Sequence, residues 1–163
     1  MKLHISYNTQ MSHLVRSVTH VHGTYEKDNI IFGIDATAVP PSDDAYIFTK
    51  TYRKMIQGTP EESALPRDIG KIKFYGHSLG QADYSYFQSI FDYYDLYDHT
   101  TLQFYFTIYD KSKEVEIKRR ATEAVYKLIT AFGDVLDNKD IGKTLLHKLL
   151  LEGRVQIKYL ENL

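Results

Sequence analysis

The chain of 163 residues contains no cysteine and no tryptophan. Without cysteine, disulfide bonds, thiolate zinc sites and cysteine nucleophiles are excluded, and a reducing compartment is expected. No hydrophobic run approaches the apolar core of a signal peptide or the length of a membrane span, so no membrane partner is predicted. The formal net charge of -1 gives no overall field for recruiting nucleic acid, and no nucleic-acid partner is predicted either. These absences indicate a cytoplasmic globular protein.

The composition itself is ordinary, with 43% hydrophobic and 25% charged residues. The length suits one domain, so residues 1–163 are predicted to form a single α/β domain. Fourteen tyrosines and eight phenylalanines are present, and many of them fall between Phe74 and Tyr109. Because aromatic side chains bury large areas, that region is predicted to form the centre of the core.

Apolar runs alternate with helical patterns along the chain. The runs predict strands at Thr19–Gly23, Asn29–Asp35, Lys71–Tyr75, Thr100–Tyr109 and Arg154–Leu160. Residues 3–18 are predicted as a short strand or loop followed by a helical turn or two. Helical spacing predicts four helices, whose apolar positions are Phe48, Tyr52 and Met55; Phe87, Ile90, Phe91 and Tyr94; Ala121, Ala124, Val125, Leu128, Ile129 and Phe132; and Ile141, Leu145 and Leu149.

This alternation of strands and helices predicts a Rossmann-like three-layer α/β sandwich with a mainly parallel sheet and helices on both faces. Ligands of such sheets bind at the carboxyl ends of the strands. The residues predicted to lie at that edge follow four strands. They are His22 with Gly23, Asp35, the turn from Gly76 to Gly80, and Asp110.

The turn Gly76-His77-Ser78-Leu79-Gly80 matches the G-x-S-x-G elbow of α/β-hydrolases, between a predicted strand and a predicted helix. Ser78, Asp110 and His147 also follow one another in the hydrolase order. Against this interpretation, no run of glycines supplies an oxyanion hole, and His147 falls within a predicted apolar helical stripe. Two other interpretations stay open: a tight structural turn, or a turn that holds a ribose or phosphate near the amino terminus of a helix.

Three blocks carry a resemblance to a known family: T-H-V-H-G at Thr19–Gly23, N-I-I-F-G-I-D at Asn29–Asp35 and Y-G-H-S-L-G-Q-A-D-Y-S-Y-F at Tyr75–Phe87. In order and spacing they resemble the bacterial abortive-infection family AbiH. The glycine-rich nucleotide loop with which AbiH proteins begin has no counterpart before His20. The chain is therefore expected to resemble the C-terminal part of these proteins and to be incomplete at its N-terminus.

AbiH proteins are similar in outline to sirtuins, so the resemblance implies an anti-phage defence protein that binds or cleaves NAD. It implies His22 as catalytic base, and as NAD-binding residues Gly23, Asp35, Gly76, His77, Ser78, Gly80, Asp83 and Asp110. No metal is expected, although His20, His22 and His77 are residue types that suit zinc. The alternatives are a non-enzymatic interaction or homo-oligomerisation module built on the tyrosine-rich helix and, after it, a serine hydrolase.

Overall fold

The computed structural model describes residues 2–6, 15–20, 25–26, 30–31, 33–34, 39–58, 65–66 and 69–161. The chain divides into two compact units, Met1–Arg67 and Asp68–Leu163. The single domain expected over residues 1–163 stays a prediction, which this division into two units does not test.

The first unit contains a two-stranded antiparallel sheet. Strand β1 (Lys2–Ser6) pairs with strand β2 (Val15–His20), with Lys2 opposite His20. The helical turn predicted before residue 18 is therefore wrong for Val15–Val18. β-branched residues at Val15, Val18 and Thr19 favour an extended strand, and the pairing with β1 satisfies its backbone groups.

Helix α1 (Lys50–Gln57) follows a 3₁₀ turn at Asp44–Phe48. It begins where the Thr49 hydroxyl accepts a hydrogen bond from the amide of Tyr52, a favourable N-cap. The predicted apolar face of this helix is not buried, because Phe48 is 56% exposed and Met55 is 72% exposed.

The strand predicted over Asn29–Asp35 is reduced to one bridge among its described residues. Ile34 forms a parallel bridge with Thr49, and the amide of Lys50 donates to the carbonyl of Ile34 at 3.0 Å. A Cβ at Gly33 would overlap the carbonyl oxygen of Phe48, so glycine permits this close approach. Asp35 lies outside the described residues.

The second unit contains a three-stranded parallel sheet in the order β3-β4-β5. Strands β3 (Lys71–Tyr75), β4 (Thr101–Ile108) and β5 (Val155–Glu161) are connected through three helices. Helix α2 (Tyr84–Tyr93) joins the first two strands, and helices α3 (Glu114–Val135) and α4 (Lys139–Leu151) join the last two. The predicted α/β, Rossmann-like class with a parallel sheet is confirmed.

One face of this sheet forms an aromatic core with α2 and α3. The Phe74 ring stacks on Phe104 with centroids 4.8 Å apart, and it meets Phe87 of α2 edge-on at 5.6 Å. Phe91 of α2 meets Phe132 of α3 at 5.5 Å, so the two helices pack together above the strands. The predicted apolar face of α2 is confirmed, since Phe87, Ile90, Phe91 and Tyr94 are all buried.

Helices α3 and α4 approach each other closely at a pair of glycines. A Cβ at Gly133 would overlap the carbonyl oxygen of Gly142, and a Cβ at Gly142 would overlap that of Gly133. Gly133 lies inside α3, which ends two residues later at Val135. Helix α4 then begins at Lys139, after the N-cap residue Asn138, whose side chain accepts from the amides of Asp140 and Ile141.

The other face of the sheet carries polar and charged side chains. Lys73 and Tyr75 of β3 point the same way as Gln103 and Tyr105 of β4, with which they are paired. A second helical layer over this face is not among the elements of residues 69–161. Within the described residues, no helix combines the length and apolar composition that crossing a bilayer requires.

Candidate functional site

The turn after β3 is held in an unusual backbone conformation. Gly76 has φ of 59° and Leu79 has φ of 54°, and Leu79 is buried at 3% exposure. Left-handed φ is unfavourable for leucine, so the surrounding structure must hold it there. A 3₁₀ turn at Gln81–Asp83 follows, in which the amide of Asp83 donates to the carbonyl of Gly80 at 3.1 Å.

His77 holds this turn together through both ring nitrogens. Its Nδ1 accepts from the amide of Leu79 at 2.9 Å, and its Nε2 lies 3.2 Å from Oδ2 of Asp83. Because Nδ1 accepts, the proton of the neutral ring is on Nε2 and is donated to Asp83. The ring also meets Phe87 edge-on at 5.1 Å, which fixes its plane against the core.

The Leu79 amide decides against the serine hydrolase interpretation. In a nucleophile elbow, the amide after the serine belongs to the oxyanion hole. Here that amide donates to His77, and left-handed φ falls on Gly76 and Leu79 rather than on Ser78. Ser78 is exposed at the surface of the turn, where its hydroxyl would be 3.6 Å from a Cβ placed on Gly80.

His147 is exposed on α4, whereas Leu145 and Leu149 beside it in sequence are buried. Its expected place in the apolar stripe is therefore wrong, because a residue two positions from a buried one turns to the far side of a helix.

Asp83 gives the turn a negative group at the beginning of α2. It is the N-cap residue but its side chain makes no capping hydrogen bond, since the carboxylate is directed at His77. A carboxylate at this helix terminus opposes the approach of a phosphate, whereas it accepts hydrogen bonds from sugar hydroxyls. The site chemistry therefore fits a ribose better than a phosphate group.

Asp110 belongs to a separate cluster of hydrogen bonds. Its Oδ1 accepts from the amide of Ser112 at 2.9 Å and from the Ser112 hydroxyl at 2.7 Å, which caps a 3₁₀ turn before α3. Tyr75, the last residue of β3, pairs with Tyr105, and β4 continues for three further residues. That extension is about 10 Å long. The hydrogen bonds of Asp110 thus serve the start of α3, and none joins it to the His77–Asp83 pair.

The predicted residues of the first unit are not located. His22, Gly23 and Asp35 lie outside the described residues, and His20 is described only as the last residue of β2. The predicted catalytic role of His22 and the zinc hypothesis for His20, His22 and His77 therefore stay predictions. Of the predicted site, the structure brings together Gly76, His77, Ser78, Gly80 and Asp83.

Sequence reasoning missed a group of side chains on the polar face of the sheet. The Tyr75 and Tyr105 rings stack with centroids 4.2 Å apart, and the Tyr105 hydroxyl donates to Oε1 of Gln103. The signal was present in the strict alternation of Lys71, Lys73 and Tyr75 with two apolar residues.

The two stacked tyrosines differ in acidity. Partial burial and the hydrogen bond with Tyr105 raise the pKa of Tyr75. Burial alone would raise the pKa of Tyr105 as well, but the hydrogen bond from Tyr75 and the charges of Lys158 and Lys73 together lower it. The lowered pKa of Tyr105 therefore reflects the hydrogen bond from Tyr75 together with the nearby positive charges of Lys158 and Lys73.

Comparison of the chain with protein-family models, with curated proteins and with solved structures found no match.

Proposed function

We propose that this chain is an AbiH-like abortive-infection protein of the cytoplasm. In this proposal it binds a nucleotide, with NAD as the first candidate, at the carboxyl end of β3. The observation that carries the proposal is the turn in which His77 joins the amide of Leu79 to the carboxylate of Asp83. This turn lies at the edge of a parallel sheet where α/β proteins bind their ligands. In this turn Leu79 has a left-handed φ, and backbone strain of this kind is common at functional sites.

In this proposal the turn recognises a ribose. The Ser78 hydroxyl is exposed and can donate to or accept from a sugar hydroxyl, and the Asp83 carboxylate can accept from one. His77 orients the carboxylate, so the sugar meets a preorganised acceptor rather than a mobile side chain. Gly76 and Gly80 keep the backbone of the turn open to the ligand.

NAD cleavage is the reaction that the AbiH resemblance implies. Water attacks the anomeric carbon, the bond to the nicotinamide nitrogen breaks, and nicotinamide leaves with that bonding pair. His22 would act as the base that takes a proton from the nicotinamide ribose hydroxyl before this attack, and the attacking water then gives up one proton to restore that hydroxyl. An imidazole is suited to that role because its ordinary pKa lies close to neutral pH.

The binding proposal is tested by titrating NAD into the full chain by calorimetry. We expect Asp83→Asn and Ser78→Ala each to weaken binding roughly tenfold, the effect of losing one good hydrogen bond of about 1.4 kcal/mol. Asp92→Asn is the matched control, because Asp92 is an exposed carboxylate near the other end of α2. Equal affinity of the Asp83 and Asp92 variants would contradict the proposed ribose site.

The cleavage step is tested separately by measuring nicotinamide release from NAD. We expect release by the wild type and its loss in His22→Ala. Intact NAD combined with a stable dimer in solution would instead favour the non-enzymatic interaction module. Labelling of Ser78 by a fluorophosphonate probe would restore the hydrolase alternative.

A further inference from the structure

The polar face of the sheet is organised across all three strands. We call it the tyrosine–lysine face and define it by Lys71, Lys73 and Tyr75 of β3, Gln103 and Tyr105 of β4, and Gln156 and Lys158 of β5. Register places Tyr105 between Tyr75 and Lys158, and Gln103 between Lys73 and Gln156. We propose that this face binds single-stranded nucleic acid.

A hydrogen-bond network holds the face in one arrangement. The Tyr105 hydroxyl donates to Oε1 of Gln103 at 3.1 Å, and Nε2 of Gln103 donates to Oε1 of Gln156 at 2.7 Å. Nε2 of Gln156 in turn donates to the carbonyl of Gly153 at 3.1 Å. Since Gln103 is buried, its two bonds fix the positions of the groups on either side. The aromatic rings are therefore presented by a rigid surface.

The rings form a stack that a base can extend. Tyr75 and Tyr105 are nearly parallel, with 12° between their planes, and the Lys158 ammonium lies 5.6 Å from the Tyr105 ring centroid. Tyr75 is on the edge strand and is 52% exposed, so its ring can receive a further planar group. Bases stack on such platforms without a strong sequence preference because every base has a π face.

The charge of the face suits a phosphate backbone. Lys71, Lys73 and Lys158 all project from it, and none of the strand residues that share the face is acidic. In the part of the chain that the structure describes, these three ammonium groups form no ion pair with a carboxylate. Lys71 and Lys73 are about 6.6 Å apart along the strand. The lysines thus stay available for phosphates although the net charge of the chain is -1.

The residue types of the tyrosine–lysine face argue against its being covered by a layer of helices. A parallel sheet that is buried on both faces reads as nearly continuous valine, isoleucine and leucine. Three lysines and two glutamines under a helix would lose their hydration without gaining partners. A single strand is favoured over a duplex because only unpaired bases can stack on side chains.

The proposal is tested by fluorescence anisotropy of the full chain with labelled ten-nucleotide oligo(U) and oligo(dT), the two arms separating RNA from DNA. We expect binding of at least one oligonucleotide that weakens as salt is raised. Tyr75→Ala should reduce affinity roughly 5- to 150-fold through loss of stacking, and Tyr75→Phe should retain it. Tyr126→Ala is the matched control, because Tyr126 is a tyrosine of similar exposure, 56%, on α3.

Lysine variants examine the phosphate contacts. Lys73→Ala and Lys158→Ala should each weaken binding of both sequences uniformly and reduce the salt slope by about 0.7. Lys127→Ala, at an exposed position of α3, should leave binding unchanged. Lys158 lies on β5, outside the proposed ribose site, so Lys158→Ala should keep NAD binding. The nucleic-acid proposal and the NAD proposal can therefore fail independently of each other.

Three results would overturn the proposal. The wild type could fail to bind either oligonucleotide, or Tyr126→Ala and Lys127→Ala could weaken binding as much as the variants of the face. A labelled decaglutamate peptide could also bind as tightly as the oligonucleotides with no effect of Tyr75→Ala, which would assign the face to an acidic protein partner instead.

Discussion

Arg154 shows how much one side chain can hold in place. Its guanidinium, 11% exposed, donates to the carbonyl of Leu96 at 2.6 Å, to that of Thr100 at 3.0 Å and to that of Tyr97. These carbonyls belong to the segment that joins α2 to β4, while Arg154 directly precedes β5. Because the planar guanidinium offers five donors in a fixed geometry, it satisfies several buried acceptors at once.

Arg154→Lys should therefore lower the free energy of unfolding by about 2–4 kcal/mol, since one ammonium cannot reach all these carbonyls. Urea denaturation of the full chain measures the change. The matched control is Arg119→Lys, which alters an exposed ion pair with Glu123 and should change stability by less than about 0.5 kcal/mol. Similar losses in the two variants would show that the buried carbonyls do not depend on Arg154.

Glu152 should contribute to the pH dependence of stability. Hydrogen bonds from Lys148 and Arg154 lower the pKa of Glu152 below its ordinary value of 4.5. A carboxyl with a lowered folded-state pKa stabilises the fold above the unfolded pKa, and this contribution is lost as pH falls through the folded pKa. Unfolding measured between pH 7 and pH 3 should show a shallower acid loss for Glu152→Gln than for wild type. An identical pH profile would contradict this origin of the acid sensitivity.

At the scale of elements, the contact of α3 with α4 depends on the absence of side chains. Gly133 and Gly142 face each other so closely that a Cβ on either would overlap a backbone carbonyl of the other. A backbone group cannot turn aside as a flexible side chain can, so the two helices would have to separate. Helix–helix packing here is thus decided by two residues that helix propensity alone disfavours.

Gly142→Ala tests this contact. The higher helix propensity of alanine would add about 1 kcal/mol of stability, but overpacking against a rigid backbone costs about 1–3 kcal/mol or more, so the variant should be less stable. Thermal unfolding measures the net effect. Gly70→Ala is the control, because a Cβ at Gly70 would meet nothing within 4 Å. A stabilised Gly142→Ala protein would mean that the helices can move apart without cost.

At the scale of the whole molecule, the aromatic core lies within one of the two compact units. Phe74, Phe87, Phe91, Phe104 and Phe132 all belong to Asp68–Leu163. The same unit contains the parallel sheet and three of the four helices described here. A unit with its own sheet and core has what independent folding requires.

A fragment of residues 68–163 should therefore unfold cooperatively by itself. We expect a single urea transition that coincides in far-ultraviolet and near-ultraviolet circular dichroism, the latter reporting the packed tyrosines. Phe104→Ala in that fragment should cost about 3–5 kcal/mol, because Phe104 is fully buried at the centre of the sheet. Secondary structure without a cooperative transition would show that the fragment needs the rest of the chain.

The sequence by itself determined the elements whose periodicity is long and unbroken. Phe87, Ile90, Phe91 and Tyr94 recur at helical spacing and are all buried, so local pattern and final burial agree for this helix. The alternation in β4 predicted a strand, but burial does not follow it, because Gln103 is buried together with Leu102 and Phe104. The parallel α/β class followed from the order of these elements. The turn from Gly76 to Asp83 was also recognisable from its glycines as the place where a strand meets a helix.

Only the tertiary structure decided which groups meet across that turn and across the sheet. Nothing in the spacing of His77, Leu79 and Asp83 reveals that the imidazole takes the Leu79 amide, the contact that removes the oxyanion hole. The stacking of Tyr75 on Tyr105 depends on strand register, which pairs residues thirty positions apart. The physical reason is the same in both cases: hydrogen bonds and ring contacts act over a few ångströms, and those distances exist only once the chain has folded.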